Sequence, residues 1–203
     1  MKSFSSKAHE RPKVMGIVNM TKDSFYDGGQ YLSQDKALKQ IDKLIAEGAD
    51  LIDLGAESSR PGATPVPFTQ QIDVLAPMVM AFKERFEVPL SIDTYHPEVM
   101  RVCLKLGADW INDIEALTHE GSLEVVSKYQ PMVCLMHKQG TPATMQLRPA
   151  YKDVITEVKA FLSERIQACI RAGLKLNQLV IDPGFGFGKS LSHNLRLLNE
   201  LHN

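Results

Sequence analysis

The chain has 203 residues, 44% of them hydrophobic and 23% charged, with a net charge of −1. That balance excludes a disordered tail, a collagen-like chain and a disulfide miniprotein, and a pI near 6.6 gives no field for nucleic acid or an anionic membrane. No apolar run approaches the ~20 residues of a membrane span, and the polar start MKSFSSKAHERPK has no apolar region for export. Cys103, Cys134 and Cys169 lie far apart and read as buried small hydrophobes of a reducing cytoplasm.

Short apolar runs predict strands at 13–19, 50–55, 89–93, 109–113, 132–137 and 178–182, buried on both faces. Between them, apolar residues recur with the helical period. Leu38, Ile41, Leu44 and Ile45 form one stripe, with Ser33 as its expected N-cap. Ile72, Leu75, Val79 and Phe82 form a second, which Pro77 is expected to kink or shorten. Val99, Val102, Cys103 and Leu106 follow Pro97 in a first turn. Val154, Val158, Phe161, Leu162, Ile166 and Cys169 mark a longer helix ending near Gly173.

Alternating strands and helices mean a parallel sheet with helices packed on it, either an open doubly wound sheet or a (β/α)8 barrel. Each strand carries a polar group toward its C-terminal end: Asn19, Asp53, Asp93, Asn112 with Asp113, His137 and Asp182. Barrel enzymes draw their chemistry from many strand ends, whereas an open sheet gathers it at one switch point. The reading is therefore a single α/β domain over 1–203, a (β/α)8 TIM barrel with about six of eight units.

Six segments carry the chemistry. After Asn19 comes a loop of hydroxyls, carboxylates and glycines suited to a polar ligand or metal, although turn geometry also explains it. Glu57, Ser58, Ser59 and Arg60 follow the second strand; Arg60 is a candidate fork for carboxylate or phosphate, though a solvated loop arginine is the plainer reading of one residue alone. SIDT and IND bring Asp93, Asn112 and Asp113 to neighbouring strand ends; a structural capping role suits Asp113 better than Asp93. His137 is a candidate base, though a structural hydrogen-bonded histidine is the plainer reading. Met136 fits a pocket wall or plain core.

The last segment is VIDPGFGFGKSLSHN, 180–194. It fails the P-loop pattern at Pro183 and the dinucleotide pattern at Lys189. What remains is Asp182 and a glycine-aromatic loop with Phe185 and Phe187, able to clamp a flat heterocycle. No zinc spacing is present; a metal here would be a hard cation on oxygen ligands.

At IVNMTKDSFYDGG, GAESSRPGA, SIDT, IND, LMHKQGTPATMQ and DPGFGFGK the chain resembles dihydropteroate synthase, from about Pro12 to Asn203. The resemblance implies a cytoplasmic transferase of folate biosynthesis and sulfonamide target. That family joins 7,8-dihydropterin-6-ylmethyl diphosphate to para-aminobenzoate, giving 7,8-dihydropteroate and diphosphate. Its implied catalytic residues are Asn19, Arg60, Asp93 and Asp182. Asp182 would take the pterin's guanidine-like edge. Asp93 and Asn112 would hold the other ring nitrogens and exocyclic groups, with Met136 bordering the ring. Ser59, Arg60, Pro61 and Phe187 would lie near para-aminobenzoate. Asn19 would ligate Mg2+ on the diphosphate. The implied assembly is a homodimer, with small-molecule substrates and neither nucleic acid nor membrane as partner.

The sequence also departs from the family. Lys22 stands for a usual proline, Ser59 for threonine, and Glu115-Ala116 for Ser-Gly, which alters the expected turn. A lysine-serine pair and an Arg-x-His expected after seventh and eighth strands have no counterpart. Turnover by these 203 residues alone therefore stays open, and an inactive fragment is an alternative. The other is the pterin-binding domain of a methyltetrahydrofolate–corrinoid methyltransferase, a domain not expected to carry both the NMTKDSF and SSRPGA loops.

Overall fold

A computed structural model describes residues 11–20, 30–58, 65–140, 145 and 149–202. Among these residues six strands alternate with six helices. The strands are β1 (Met15–Asn19), β2 (Leu51–Gly55), β3 (Leu90–Asp93), β4 (Trp110–Asp113), β5 (Met132–Met136) and β6 (Leu179–Asp182). The helices are α1 (Gln30–Ala46), α2 (Phe68–Arg85), α3 (Pro97–Lys105), α4 (Ser122–Tyr129), α5 (Val154–Arg171) and α6 (Leu191–Asn199), with a 3-10 turn at Leu176–Gln178.

Every neighbouring pair of strands is parallel, and the sheet order is β1-β2-β3-β4-β5-β6. A doubly wound sheet reverses its order at a switch point. This order never reverses, so the chain winds one way, as the wall of a barrel does.

Successive side chains of a strand point to opposite faces. The outer face holds Ile52, Leu54, Ile92, Ile111, Val133 and Leu135, which join the helices in one apolar cluster. Ile41 of α1, Phe82 of α2, Met100 of α3 and Val126 of α4 are completely buried there. Each such side chain contributes ~1.5–3 kcal/mol of burial.

The structure corrects four expectations. Ser33 is no N-cap, because α1 starts at Gln30 and Ser33 falls in its first turn. Pro77 does not shorten α2, which runs unbroken over 18 residues. Leu75, Met78, Val79 and Phe82 are buried on both sides of the proline, and that packing outweighs one missing backbone hydrogen bond. The two-turn α4 was not expected from the periodicity. Burial on both faces holds for β2, which is buried throughout, but not for the edge strands. Ile17 of β1 is 62% exposed, and Val180 and Ile181 of β6 are 39% and 52% exposed. In α6, Leu191, Leu195 and Leu198 are exposed as well.

Candidate active site

The strand register builds the site. One layer crosses five strands as Asn19, Gly55, Asp93, Asn112 and Cys134. A second lies one pleat below, as Ile17, Asp53, Ser91, Trp110 and Met132. Above them Met136 pairs with Asp182. All these residues share the inner face of the sheet, opposite the helices.

Gly55 lets the first layer close up. A Cβ built there would sit 2.9 Å from Asn19 Oδ1 and 3.4 Å from Asp93 Oδ2. A side chain at 55 would force the Asn19 oxygen to shift, while Asp93 Oδ2 would stand at ordinary contact distance.

The inner face is acidic. Asp93 is raised well above the usual carboxylate range, first by burial and then by the charges of Asp53, Asp113 and Glu57. Asp53 is only 3% exposed, and burial raises it too, opposed by the Ser91 hydroxyl and the Asn112 amide. Asn112 Nδ2 donates to Asp53 Oδ2 at 3.0 Å. Asp53 Oδ1 and Ser91 Oγ are buried without a hydrogen-bond partner, on neighbouring strands at paired positions. Burial pushes the Cys134 thiol up to about 12, with Asp182, Asp53, Asp113 and Asp93 adding to it. That thiol is no nucleophile at neutral pH.

Asp113 does not join this group. It follows Asn112 by one residue and so faces outward, fully buried. Its carboxylate accepts the Glu115 N–H at 2.7 Å and the Leu117 N–H at 2.9 Å. Arg165 takes the carbonyls of Ala116 and Leu117, both at 2.8 Å. The role is structural, as the sequence suggested, but Asp113 holds this turn rather than capping the next helix, whose N-cap is Gly121. The Glu115-Ala116 departure is absorbed by a turn with Ala116 at φ 51° and Leu117 at φ 59°.

Asp53 is not a strand-end residue, since β2 continues to Gly55. His137 follows the last residue of β5 and is buried. Its Nδ1 lies 3.0 Å from Lys189 Nζ. Its pKa is lowered to about 4, by burial first and the lysine charge second. It is a neutral structural group, not a base. Lys189 also donates to the carbonyls of His137 and Phe187, so the one cation of the glycine-aromatic loop is turned inward onto these acceptors, within reach of the Asp182 charge.

The Asp182 carboxylate is set by the Gly184 N–H, at 2.7 Å. The half-buried Phe187 follows in the same loop, its N–H on the Gly184 carbonyl at 3.1 Å. Ser59, Arg60 and Pro61, like Lys22, lie outside the described residues.

Two features escaped the sequence reading. Glu57 Oε2 takes the Val66 N–H at 3.2 Å and the Gln71 amide at 2.8 Å, and Glu57 Oε1 takes the Tyr95 hydroxyl at 3.0 Å. It thus ties residue 57 to residue 66. A recess beside Asp93 is lined by Glu57, Gln71, Tyr95 and Ile114. The second feature is the bond between Asp53 and Asn112; nothing in either motif signals it.

Among the described residues no three His, Cys, Asp or Glu side chains are grouped as metal ligands. The amide oxygen of Asn19, facing Asp93 across Gly55, is a hard donor of the kind Mg2+ takes when substrate oxygens and water complete its shell. The residues therefore fit that ion. No helix among the described residues is long and apolar enough to cross a membrane.

Comparison with known proteins agrees with this geometry. The family profile described as pterin binding enzyme matches residues 15–203. Dihydropteroate synthase of Haemophilus influenzae is 46% identical over 191 residues, 94% of this chain and 70% of that protein. The crystal structure of Yersinia pestis dihydropteroate synthase with a sulfonamide drug complex superposes with a TM-score of 0.88 at 46% identity, over 95% of this chain and 71% of that one. The Burkholderia cenocepacia dihydropteroate synthase complexed with 7,8-dihydropteroate gives 0.84 at 45% identity, over 95% and 66%.

Proposed function

This chain belongs to the pterin binding enzyme family, as a transferase of the dihydropteroate synthase type, and we propose that it joins 7,8-dihydropterin-6-ylmethyl diphosphate to para-aminobenzoate. The products are 7,8-dihydropteroate and diphosphate. The six strands are consecutive members of a (β/α)8 barrel wall. The observation that carries the reading is the inner row of Asn19, Asp93 and Asn112 on adjacent strands, with Met136 and Asp182 one pleat above.

A pterin presents one flat edge with paired N–H donors. Asp182, fixed by the Gly184 N–H, pairs with that edge by two charge-assisted bonds. Asp93 and Asn112 take the remaining ring nitrogens and exocyclic groups. Met136, 4% exposed, borders the ring. Phe187, with Ser59, Arg60 and Pro61, belongs to the para-aminobenzoate side, where sulfonamides compete. The Yersinia pestis relative was solved with such a drug.

Asn19 Oδ1 would hold Mg2+, which when bound neutralises the oxygens of the leaving diphosphate. The C–O bond to diphosphate breaks, and the aryl amine attacks the methylene and sheds a proton. The row supplies orientation and charge placement rather than a strong base. Three buried free thiols suit a reducing cytoplasm, and a homodimer is the assembly that the family resemblance supports.

Calorimetry on this chain tests the reading. A pterin diphosphate analogue should bind with Mg2+, and Asp182→Asn should weaken it by ~2–5 kcal/mol while leaving a para-aminobenzoate analogue nearly unaffected. Equal losses for both ligands would remove Asp182 from the pterin site.

A further inference from the structure

We propose that Asp53 is a positioning residue for the pterin site: it fixes the orientation of the Asn112 side-chain amide, so that Asn112 meets its ligand with the carbonyl oxygen. The proposal rests on the pterin reading above but concerns a residue to which that reading gives no part.

Asp53 lies in the middle of β2, one pleat below the row that faces the ligand. It is 3% exposed and is itself too deep to be a main contact. Its one hydrogen bond among the described side chains comes from Asn112 Nδ2 at 3.0 Å. A carboxylate only accepts. The planar amide must therefore turn its NH2 group toward Asp53, which points its oxygen away from Asp53. Flipping it would set two acceptors against each other in a low-dielectric interior and leave the NH2 protons without that partner.

The arrangement works against stability. Asp53 Oδ1 has no partner, and Ser91 Oγ, on the neighbouring strand at the paired position, has none either. A buried carboxylate with so few bonds is costly, and an apolar residue of similar volume would be more comfortable. A group that costs stability, and whose hydrogen bond goes to the amide next to the ligand, is explained by the ligand. The ligand it favours has a ring N–H donor opposite Asn112.

Three variants test this, each read by calorimetry with a dihydropterin and by thermal unfolding, and the two that keep Asn112 also by NMR of its side-chain amide protons. Asp53→Leu should bind pterin about 10- to 100-fold more weakly, the usual scale for losing a partner that orients a ligand-binding group, with an unchanged or higher melting temperature. Its Asn112 NH2 protons should exchange faster than in the native chain. Asp53→Asn, isosteric and so expected to fold, should show the same faster exchange, because two facing amides can turn together. The exchanged pair Asp53→Asn with Asn112→Asp keeps the total charge and again shows the ligand an acceptor; it should recover at least tenfold of the lost affinity. Equal exchange protection in Asp53→Asn and the native chain would overturn the proposal, as would an exchanged pair no better than Asp53→Leu. If the native chain bound no pterin, the reading under Proposed function would fail, while the exchange rates would still decide the orientation.

Discussion

Lys189 places its ammonium 3.0 Å from Nδ1 of His137, in a buried clasp between the loops that follow β5 and β6. An ammonium can only donate, so Nδ1 accepts and the ring proton sits on Nε2. The same ammonium holds the carbonyls of His137 at 3.1 Å and Phe187 at 3.0 Å. The bonds continue from Phe187 N–H to the Gly184 carbonyl and from Gly184 N–H to Asp182. The clasp thus reaches the carboxylate proposed to bind pterin.

This clasp predicts a pH response. His137 has its pKa lowered to about 4, so the unfolded chain binds its proton first as pH falls. The histidine's contribution is complete above pH 6.5 and is lost progressively as pH drops through 6.5 toward 4, by ~1–3 kcal/mol. An NMR titration of the ring should give a midpoint near 4. Lys189→Met should raise that midpoint only part of the way, since burial is the larger cause. A native midpoint near 6.5 would contradict the clasp.

The three glycines of DPGFGFGK should differ sharply. A Cβ on Gly184 would lie 1.9 Å from the His137 carbonyl oxygen, and one on Gly188 would lie 2.4 Å from that of Gln139. On Gly186 it would meet nothing within 4 Å, at φ +82°. Gly184→Ala and Gly188→Ala should each cost ~3 kcal/mol or more and disturb pterin binding. Gly186→Ala should cost only the left-handed backbone penalty of ~1–2 kcal/mol. Urea unfolding of the three variants separates these outcomes.

Arg165 is expected to matter well beyond its own helix. Replacing it with Met leaves the carbonyls of Ala116 and Leu117 without their partner and frees a turn held in left-handed conformations. The loss should be ~1–3 kcal/mol. Faster amide hydrogen exchange should be confined to the turn after β4, and an unchanged exchange pattern there would show that Asp113 holds the turn alone.

One substitution should stabilise. Gln130 ends α4 at φ 53°, ψ 45°, a place where glycine is the preferred residue. Gln130→Gly should gain ~0.5–1 kcal/mol by removing the left-handed penalty, even after losing the side-chain bond to the Ser127 carbonyl. A lower urea midpoint would mean that this bond outweighs the strain.

The sequence by itself determined the alternation of strand and helix, and the fact that the polar residues gather toward strand ends. Buried parallel strands leave no other room for Asn19, Asp93, Asn112 and Asp182 in otherwise apolar runs. Helix stripes such as Leu75, Val79 and Phe82 were legible because the helical period repeats over many residues. The eight-residue α4 was not, because two turns give the period too little length. Tertiary structure alone decided which side of the sheet each polar residue serves. Asn112 and Asp113 are adjacent and chemically alike, yet strand pairing sends one to the ligand face and the other to the helices. It also decided that Asp53, two residues short of its strand's end, meets Asn112 from the next layer. Lys189, a cation in a glycine loop, looks in sequence like an anion contact. Its long side chain takes its direction from acceptors on another strand's loop, and those come near only when β5 and β6 pair.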